Sequence, residues 1–135
     1  MNVLIADNQG ITRAGLMYIL QSVNEVESRC VADKAGLIEE LKSCPNGVVI
    51  VDYTLFDIND AAELLVLGDR FPNACWLLFS DDLSTDFIRM VLASSTRFGI
   101  VLKDSPLSEI RMAISTALSG QRYICKRVTE LLLRP

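Results

Sequence analysis

The stretch Val48-Val49-Ile50-Val51-Asp52 carries the strongest indication of the fold. Its four apolar residues are β-branched and uninterrupted, which is typical of a strand in a parallel sheet that is covered on both faces. Four other short, largely apolar runs resemble it, at residues 3–6, 28–32, 75–79 and 99–102. In open α/β sheets ligands bind at the carboxyl ends of the strands, so an aspartate that closes such a strand is a candidate functional residue.

Segments with helical spacing follow these runs. They are expected at about residues 11–23, 34–43, 61–68, 84–93 and 107–118. In the last segment, Ser105-Pro106 is expected to supply the N-cap and a first-turn proline. The apolar residues of that segment recur on one helix face, at Leu107, Ile110, Ile114, Ala117 and Leu118.

Five strand–helix units in succession predict an α/β protein, because right-handed crossovers wind the helices over both faces of one parallel sheet. The expected architecture is a flavodoxin-like (βα)5 doubly wound sandwich with strand order 2-1-3-4-5. The repeat ends near Gly120. Residues 123–135 again show helical spacing and predict a short additional helix.

Composition narrows the function. The chain has 135 residues, 50% of them hydrophobic and 22% charged, which suits one folded domain. Its 13 basic and 17 acidic residues give a net charge of -4, whereas a stand-alone nucleic-acid binder normally presents a basic face. The chain contains no histidine, which excludes a Ser-His-Asp triad, a histidine-ligated metal and a phosphohistidine within it.

The four cysteines, Cys30, Cys44, Cys75 and Cys125, form no Cys-x-x-Cys pair, so buried free thiols are expected rather than a zinc site. The amino terminus lacks the positive start of a signal peptide, and no apolar run approaches the roughly 20 residues that span a bilayer. A cytoplasmic protein is expected.

Polar residues follow four of the five predicted strands. They are Asp7-Asn8, Asp52, Ser80-Asp81-Asp82 and Lys103-Asp104. Each aspartate alone is also typical of a turn or a helix N-cap, and the lysine alone is typical of a solvated position. Together at one sheet edge they suit phosphoryl chemistry, because paired carboxylates hold Mg²⁺ and one of them can attack phosphorus. A lysine and a serine hydroxyl would then offset the charge of the transferred group.

These residues lie in stretches that resemble one family over residues 1 to about 133. The stretches are VLIADNQ (3–9), TRAGL (12–16), VIVDYTL (49–55), LLFS (77–80) and GIVLKD (99–104). Their order and spacing are similar to those of the receiver domains of two-component response regulators, in particular the LuxR/NarL-type branch.

The resemblance implies that Asp52 accepts a phosphoryl group from the phosphohistidine of a sensor histidine kinase. It implies Mg²⁺ bound by Asp7, Asp52 and the backbone carbonyl of Thr54. Ser80 would sense the phosphoryl group and Lys103 would pair with it. Such a chain is a phosphoacceptor switch rather than an enzyme.

The sequence also departs from the family pattern. Asn8 replaces the second residue of the acidic pair, which predicts weaker binding of Mg²⁺. Phe56 and Asp60 replace a proline and a glycine near the phosphoacceptor. Ile100 replaces the aromatic switch residue, and Phe98, on the same strand face, is expected to take over part of its role. Asp81 and Asp82 add negative charge.

The resemblance implies that residues 1–120 form the receiver domain. Residues 121–135 would form a linker, or short helix, towards a helix-turn-helix effector domain that is absent from this chain. DNA would be bound through that effector domain alone. A homodimer would form through helix 4, strand 5 and helix 5, or through helices 1 and 5.

Two alternatives stay open. The chain could be a degenerate pseudo-receiver that binds partners or dimerises without phosphorylation or Mg²⁺. It could also be a flavodoxin-like cofactor binder, although no glycine-rich phosphate loop follows a strand.

Overall fold

The computed structural model describes residues 1–54, 56–58 and 60–133. Five parallel strands form one sheet in the order β2-β1-β3-β4-β5, which confirms the predicted flavodoxin-like topology. The strands are β1 (Asn2–Ala6), β2 (Glu27–Cys30), β3 (Val48–Val51), β4 (Cys75–Ser80) and β5 (Phe98–Leu102). Strand β2 lies at the sheet edge and is largely exposed, which explains why its sequence is the least apolar of the five.

Within the described residues, the sheet is accompanied by six helices: α1 (Gly10–Gln21), α2 (Lys34–Ser43), α3 (Ala61–Arg70), α4 (Thr85–Ser94), α5 (Leu107–Leu118) and α6 (Lys126–Leu133). Three of them begin at a side-chain cap. Asp33, Asp60 and Ser84 each accept a hydrogen bond from a backbone N–H of the first turn. In the described part of the chain, no helix is both long and apolar enough to cross a membrane.

The core lies on both faces of the central strands. Trp76 and Phe98 are opposite each other on β4 and β5, with ring centroids 5.6 Å apart. Helix α3 approaches them closely at Gly68, where a Cβ atom would lie 2.8 Å from the Phe98 ring. On the other face, α1 and α5 pack near Phe79.

Three local expectations are corrected. Pro106, rather than Ser105, occupies the N-cap position of α5, and it makes no side-chain capping hydrogen bond because a proline side chain has no hydrogen-bonding atom. Leu107 is 55% exposed and lies outside the buried part of the stripe, because it lines an open groove between α1 and α5 together with Ile11 and Ile110. All four cysteines are free, but only Cys125 is buried, and Cys30 is exposed because it lies on the edge strand.

The short carboxyl-terminal helix is confirmed as α6, and the segment before it packs along β5. Ile100 donates its N–H to the carbonyl of Tyr123 at 2.7 Å and accepts from the N–H of Cys125 at 3.0 Å. Val128 of α6 is fully buried. Residues 121–133 therefore cover the free edge of β5.

Candidate functional site

The two central strands β1 and β3 end side by side and place Asp7 and Asp52 next to each other. Ala6 pairs with Val51 in the sheet, and the N–H of Asp52 donates to the carbonyl of Ala6 at 3.1 Å. Both side chains are buried, with 1% and 0% exposure. The strand order reverses at this point of the sheet, which is where open α/β folds bind ligands.

Lys103 bridges the two carboxylates. Its Nζ lies 2.6 Å from Oδ2 of Asp52 and 2.9 Å from Oδ2 of Asp7. The lysine follows β5, and its N–H donates to the carbonyl of Ser80 at 2.9 Å, which fixes its backbone beside the pocket. Two carboxylates and one ammonium leave the pocket with one net negative charge.

The other oxygen of Asp52 accepts three hydrogen bonds. Oδ1 lies 3.0 Å from the N–H of Thr54, 2.8 Å from its hydroxyl and 2.9 Å from the hydroxyl of Ser80. Burial alone would raise the pKa of Asp52, but the hydrogen bonds from Lys103, Thr54 and Ser80 outweigh it and hold the pKa below its usual value. Asp52 is thus an ionised, oriented carboxylate at neutral pH.

The lysine is held in its charged form by the same contacts. Burial lowers the pKa of Lys103, while the hydrogen bonds to Asp52 and Asp7 raise it by more, so that the net shift is upward. The ammonium is therefore a permanent positive charge between the carboxylates at neutral pH.

The first loop after β1 orients Asp7. Its Oδ1 accepts the N–H of Gln9 at 2.8 Å. Asn8 is exposed, and its amide oxygen accepts from Arg13 at 3.2 Å. The side chain of Asn8 therefore contacts α1 and leaves Asp7 and Asp52 as the carboxylates of the pocket.

The remaining candidates lie outside the pocket. Asp81 and Asp82 are exposed after β4. Ile100 and Phe98 are fully buried in β5. Phe98 is the first residue of β5 and contacts Trp76. At the usual rise per strand residue, Phe98 lies about 16 Å from Lys103 along the strand.

Sequence reasoning missed two contacts of the site. The side-chain oxygen of Gln9 lies 2.5 Å from Nζ of Lys103. Tyr53, directly after Asp52, stacks on Phe87 of α4 with ring centroids 4.2 Å apart. The only available signal was position, because Gln9 follows β1 within two residues of Asp7.

The donor chemistry of the pocket fits Mg²⁺. Both Oδ2 atoms face one point where the structure already holds a cation, the Lys103 ammonium. Mg²⁺ needs only one or two protein carboxylates because it keeps several waters. In the part of the chain that is described, no cluster of three or more acidic, cysteine or histidine side chains could hold a metal ion. The protein would therefore supply few of the ligands of a bound Mg²⁺.

Comparison with known proteins shows which proteins the chain resembles. No family model matches the chain. In sequence it is similar to the oxygen regulatory protein NreC of Staphylococcus aureus, with 23% identity over 136 residues that cover 98% of this chain and 62% of NreC. The chain thus spans less than two thirds of the length of this relative.

The fold is that of response regulator receiver domains. The isolated receiver domain of RcsB from Salmonella enterica serovar Typhimurium, in the presence of the phosphomimetic BeF3-, superposes with a TM-score of 0.82 at 23% identity, over 98% of each chain. A LuxR-family response regulator from Aurantimonas sp. gives 0.81 at 17% identity, over 97% of this chain and 94% of that one. These findings confirm the resemblance to LuxR/NarL-type receiver domains.

Proposed function

We propose that Asp52 accepts a phosphoryl group from the phosphohistidine of a sensor histidine kinase. The observation that carries the proposal is the buried Asp52 carboxylate, which is surrounded by the donors of Lys103, Thr54 and Ser80. The same donors that orient the carboxylate can bind the oxygens of a phosphoryl group attached to it. In this proposal the domain acts in the cytoplasm and controls transcription through a helix-turn-helix effector domain outside this chain.

The chemistry is a phosphoryl transfer between a nitrogen and an oxygen. An oxygen of Asp52 attacks phosphorus, the P–N bond of the phosphohistidine breaks, and its electron pair stays on the imidazole. Asp52 is ionised and needs no base. Asp7, Asp52 and the Thr54 carbonyl would hold Mg²⁺, which when bound offsets the charge on the phosphoryl oxygens.

Two contacts connect the pocket to α4. The hydroxyl of Ser80 contacts Asp52 at the end of β4, shortly before α4 begins. Tyr53 stacks on Phe87 in the first turn of α4. Ile100 is buried and has neither a ring nor a hydroxyl. We therefore assign the conformational response to phosphorylation to the Ser80 hydroxyl and the Tyr53–Phe87 stack.

Of the two homodimer surfaces, the structure favours the one formed by α1 and α5. Its exposed apolar side chains are Ile11, Tyr18, Leu107 and Met112, each at least 55% exposed. The alternative surface, α4–β5–α5, is partly covered by residues 121–133, since Arg122 donates to the carbonyls of Leu92 and Ser95. The structure of two RcsB dimers bound to two parallel DNAs, with 25% identity and a TM-score of 0.80, is consistent with a dimeric output.

A degenerate pseudo-receiver remains the second candidate, and two observations favour it. Asn8 contributes no carboxylate to the pocket. The Lys103 ammonium already lies between Asp7 and Asp52 at the position where a metal would bind. The changes at Phe56 and Asp60 count less, because Phe56 is buried in the core and Asp60 caps α3.

Binding of beryllofluoride, a phosphoryl mimic, separates these candidates. Amide resonances should be recorded with Mg²⁺, beryllium and fluoride, with Asp52→Asn as the control. A phosphoacceptor shows large shifts at Thr54, Ser80, Lys103 and the first turn of α4, and the control shows none. Identical spectra of the native chain with and without beryllofluoride would refute the phosphoacceptor and leave the pseudo-receiver.

A further inference from the structure

We propose that Gln9 is a positioning residue that holds the Lys103 ammonium between Asp7 and Asp52 and thereby sets the affinity of the pocket for Mg²⁺. The inference rests on the proposed function only in placing Mg²⁺ at these two carboxylates. The contact that supports the role of Gln9 is the one between its side-chain oxygen and Nζ of Lys103.

Three side-chain oxygens surround the ammonium group of Lys103. An ammonium group has three N–H donors and no acceptor. In this structure it donates hydrogen bonds to Oδ2 of Asp52 at 2.6 Å and to Oε1 of Gln9 at 2.5 Å, and it forms an ion pair with Oδ2 of Asp7 at 2.9 Å. The two carboxylates supply the charge, and the neutral carboxamide of Gln9 accepts the second of the two hydrogen bonds.

Gln9 is itself held in place. It occupies the N-cap position of α1, but its side chain does not cap that helix. Its Oε1 instead accepts from the hydroxyl of Thr12 at 3.2 Å as well as from Lys103, and its backbone N–H donates to Asp7. One residue therefore orients both the lysine and one of the carboxylates.

The consequence is a competition between two cations. Mg²⁺ must coordinate carboxylate oxygens directly, and Oδ2 of both Asp7 and Asp52 is already paired with Lys103. The ammonium must leave at least one of them before the metal binds. Each contact that holds the ammonium in place lowers the apparent affinity for the metal, and Gln9 contributes one such contact.

Gln9→Ala removes this contact at an exposed position. Among the described residues, the only other hydrogen bond of the carboxamide is the one from the hydroxyl of Thr12. Isothermal titration of the full chain with MgCl2 should then show a Kd lower by about 3- to 10-fold, as expected for one hydrogen bond of roughly 1 kcal/mol. Gln21→Ala, an exposed glutamine at the end of α1, is the matched control and should leave the Kd unchanged.

Two further variants locate the effect. Asp52→Asn in the Gln9→Ala background should abolish the gain, because it removes a carboxylate from the same pocket. Circular dichroism melting of each variant verifies that it is folded. An unchanged or higher Kd in folded Gln9→Ala, or no Mg²⁺ binding by either protein, would overturn the inference. Because the readout is metal affinity, it is independent of whether Asp52 becomes phosphorylated.

Discussion

The carboxylate of Glu109 accepts the backbone N–H of Lys126 at 3.0 Å, so a residue of α5 caps the first turn of α6. The same oxygen, Oε2, accepts the hydroxyl of Tyr123 at 2.9 Å. The N–H of Lys126 lowers the pKa of Glu109, and burial together with Glu109 raises the pKa of Tyr123 to about 12. Glu109 thus attaches the carboxyl-terminal segment to the domain.

Glu109→Ala should release α6 from α5, because it leaves the N–H of Lys126 and the hydroxyl of Tyr123 without their shared acceptor. We expect a loss of about 1–2 kcal/mol of stability, the size of a helix cap or a charged hydrogen bond. Hydrogen exchange should increase at residues 123–133. Glu130→Ala, an exposed glutamate on α6 itself, is the control, and equal exchange in both variants would contradict the role of Glu109.

Gly99→Ala should displace the segment before α6 from β5. A Cβ atom at Gly99 would lie 2.7 Å from the backbone oxygen of Tyr123 and 3.0 Å from its nitrogen, so the backbone must move. We expect a loss of about 1–3 kcal/mol in urea unfolding. Gly15→Ala, in α1 with open space around it, should instead stabilise the chain by up to about 1 kcal/mol. Equal stability of the two variants would argue against close packing at Gly99.

Lys103→Met should destabilise the fold in the absence of divalent metal. It leaves the buried carboxylates of Asp7 and Asp52 adjacent without a cation, and breaking a buried ion pair typically costs about 3–5 kcal/mol. Mg²⁺ should restore much of this loss by replacing the ammonium. Thermal melting in EDTA and in MgCl2 measures both effects, with the native chain as reference. A variant as stable in EDTA as the native chain would show that the lysine does not stabilise the two buried carboxylates.

Acid should weaken the fold through Asp52. Its pKa in the folded chain lies below the usual value of 3.8, so the folded state favours the ionised carboxylate. This contribution to stability is fully present above pH 3.8 and is lost as the pH falls through the lower folded pKa. Urea unfolding across this range should show a steeper loss for the native chain than for Asp52→Asn. Parallel curves would mean that the pKa of Asp52 is not lowered by folding.

The sequence predicted the sheet, and the strand ends from which the site is built, for physical reasons. Buried parallel strands must be apolar throughout, as at Val48–Val51, and the residues that close them necessarily meet at one edge. The edge strand β2 was placed less well because half-exposed strands lack that pattern. Its predicted range, 28–32, begins one residue late and runs two residues past the observed Glu27–Cys30.

The details of the pocket depend on side-chain directions that the sequence does not encode locally. A lysine after a strand is usually solvated, and only the folded geometry shows that Lys103 reaches Gln9, which lies 94 residues away in the chain. Within the described residues, segment 121–125 pairs with β5 through one β-bridge, between Ile100 and Ile124. One bridge leaves no periodic signal in the sequence.

Phosphorylation of Asp52 is the central claim, and its most direct test is intact-mass measurement after incubation with acetyl phosphate and Mg²⁺. The native chain should gain the mass of one phosphoryl group. Asp52→Asn should gain none, and EDTA should suppress the reaction in the native chain. Absence of the added mass in the folded native chain, or equal labelling of Asp52→Asn, would contradict the account.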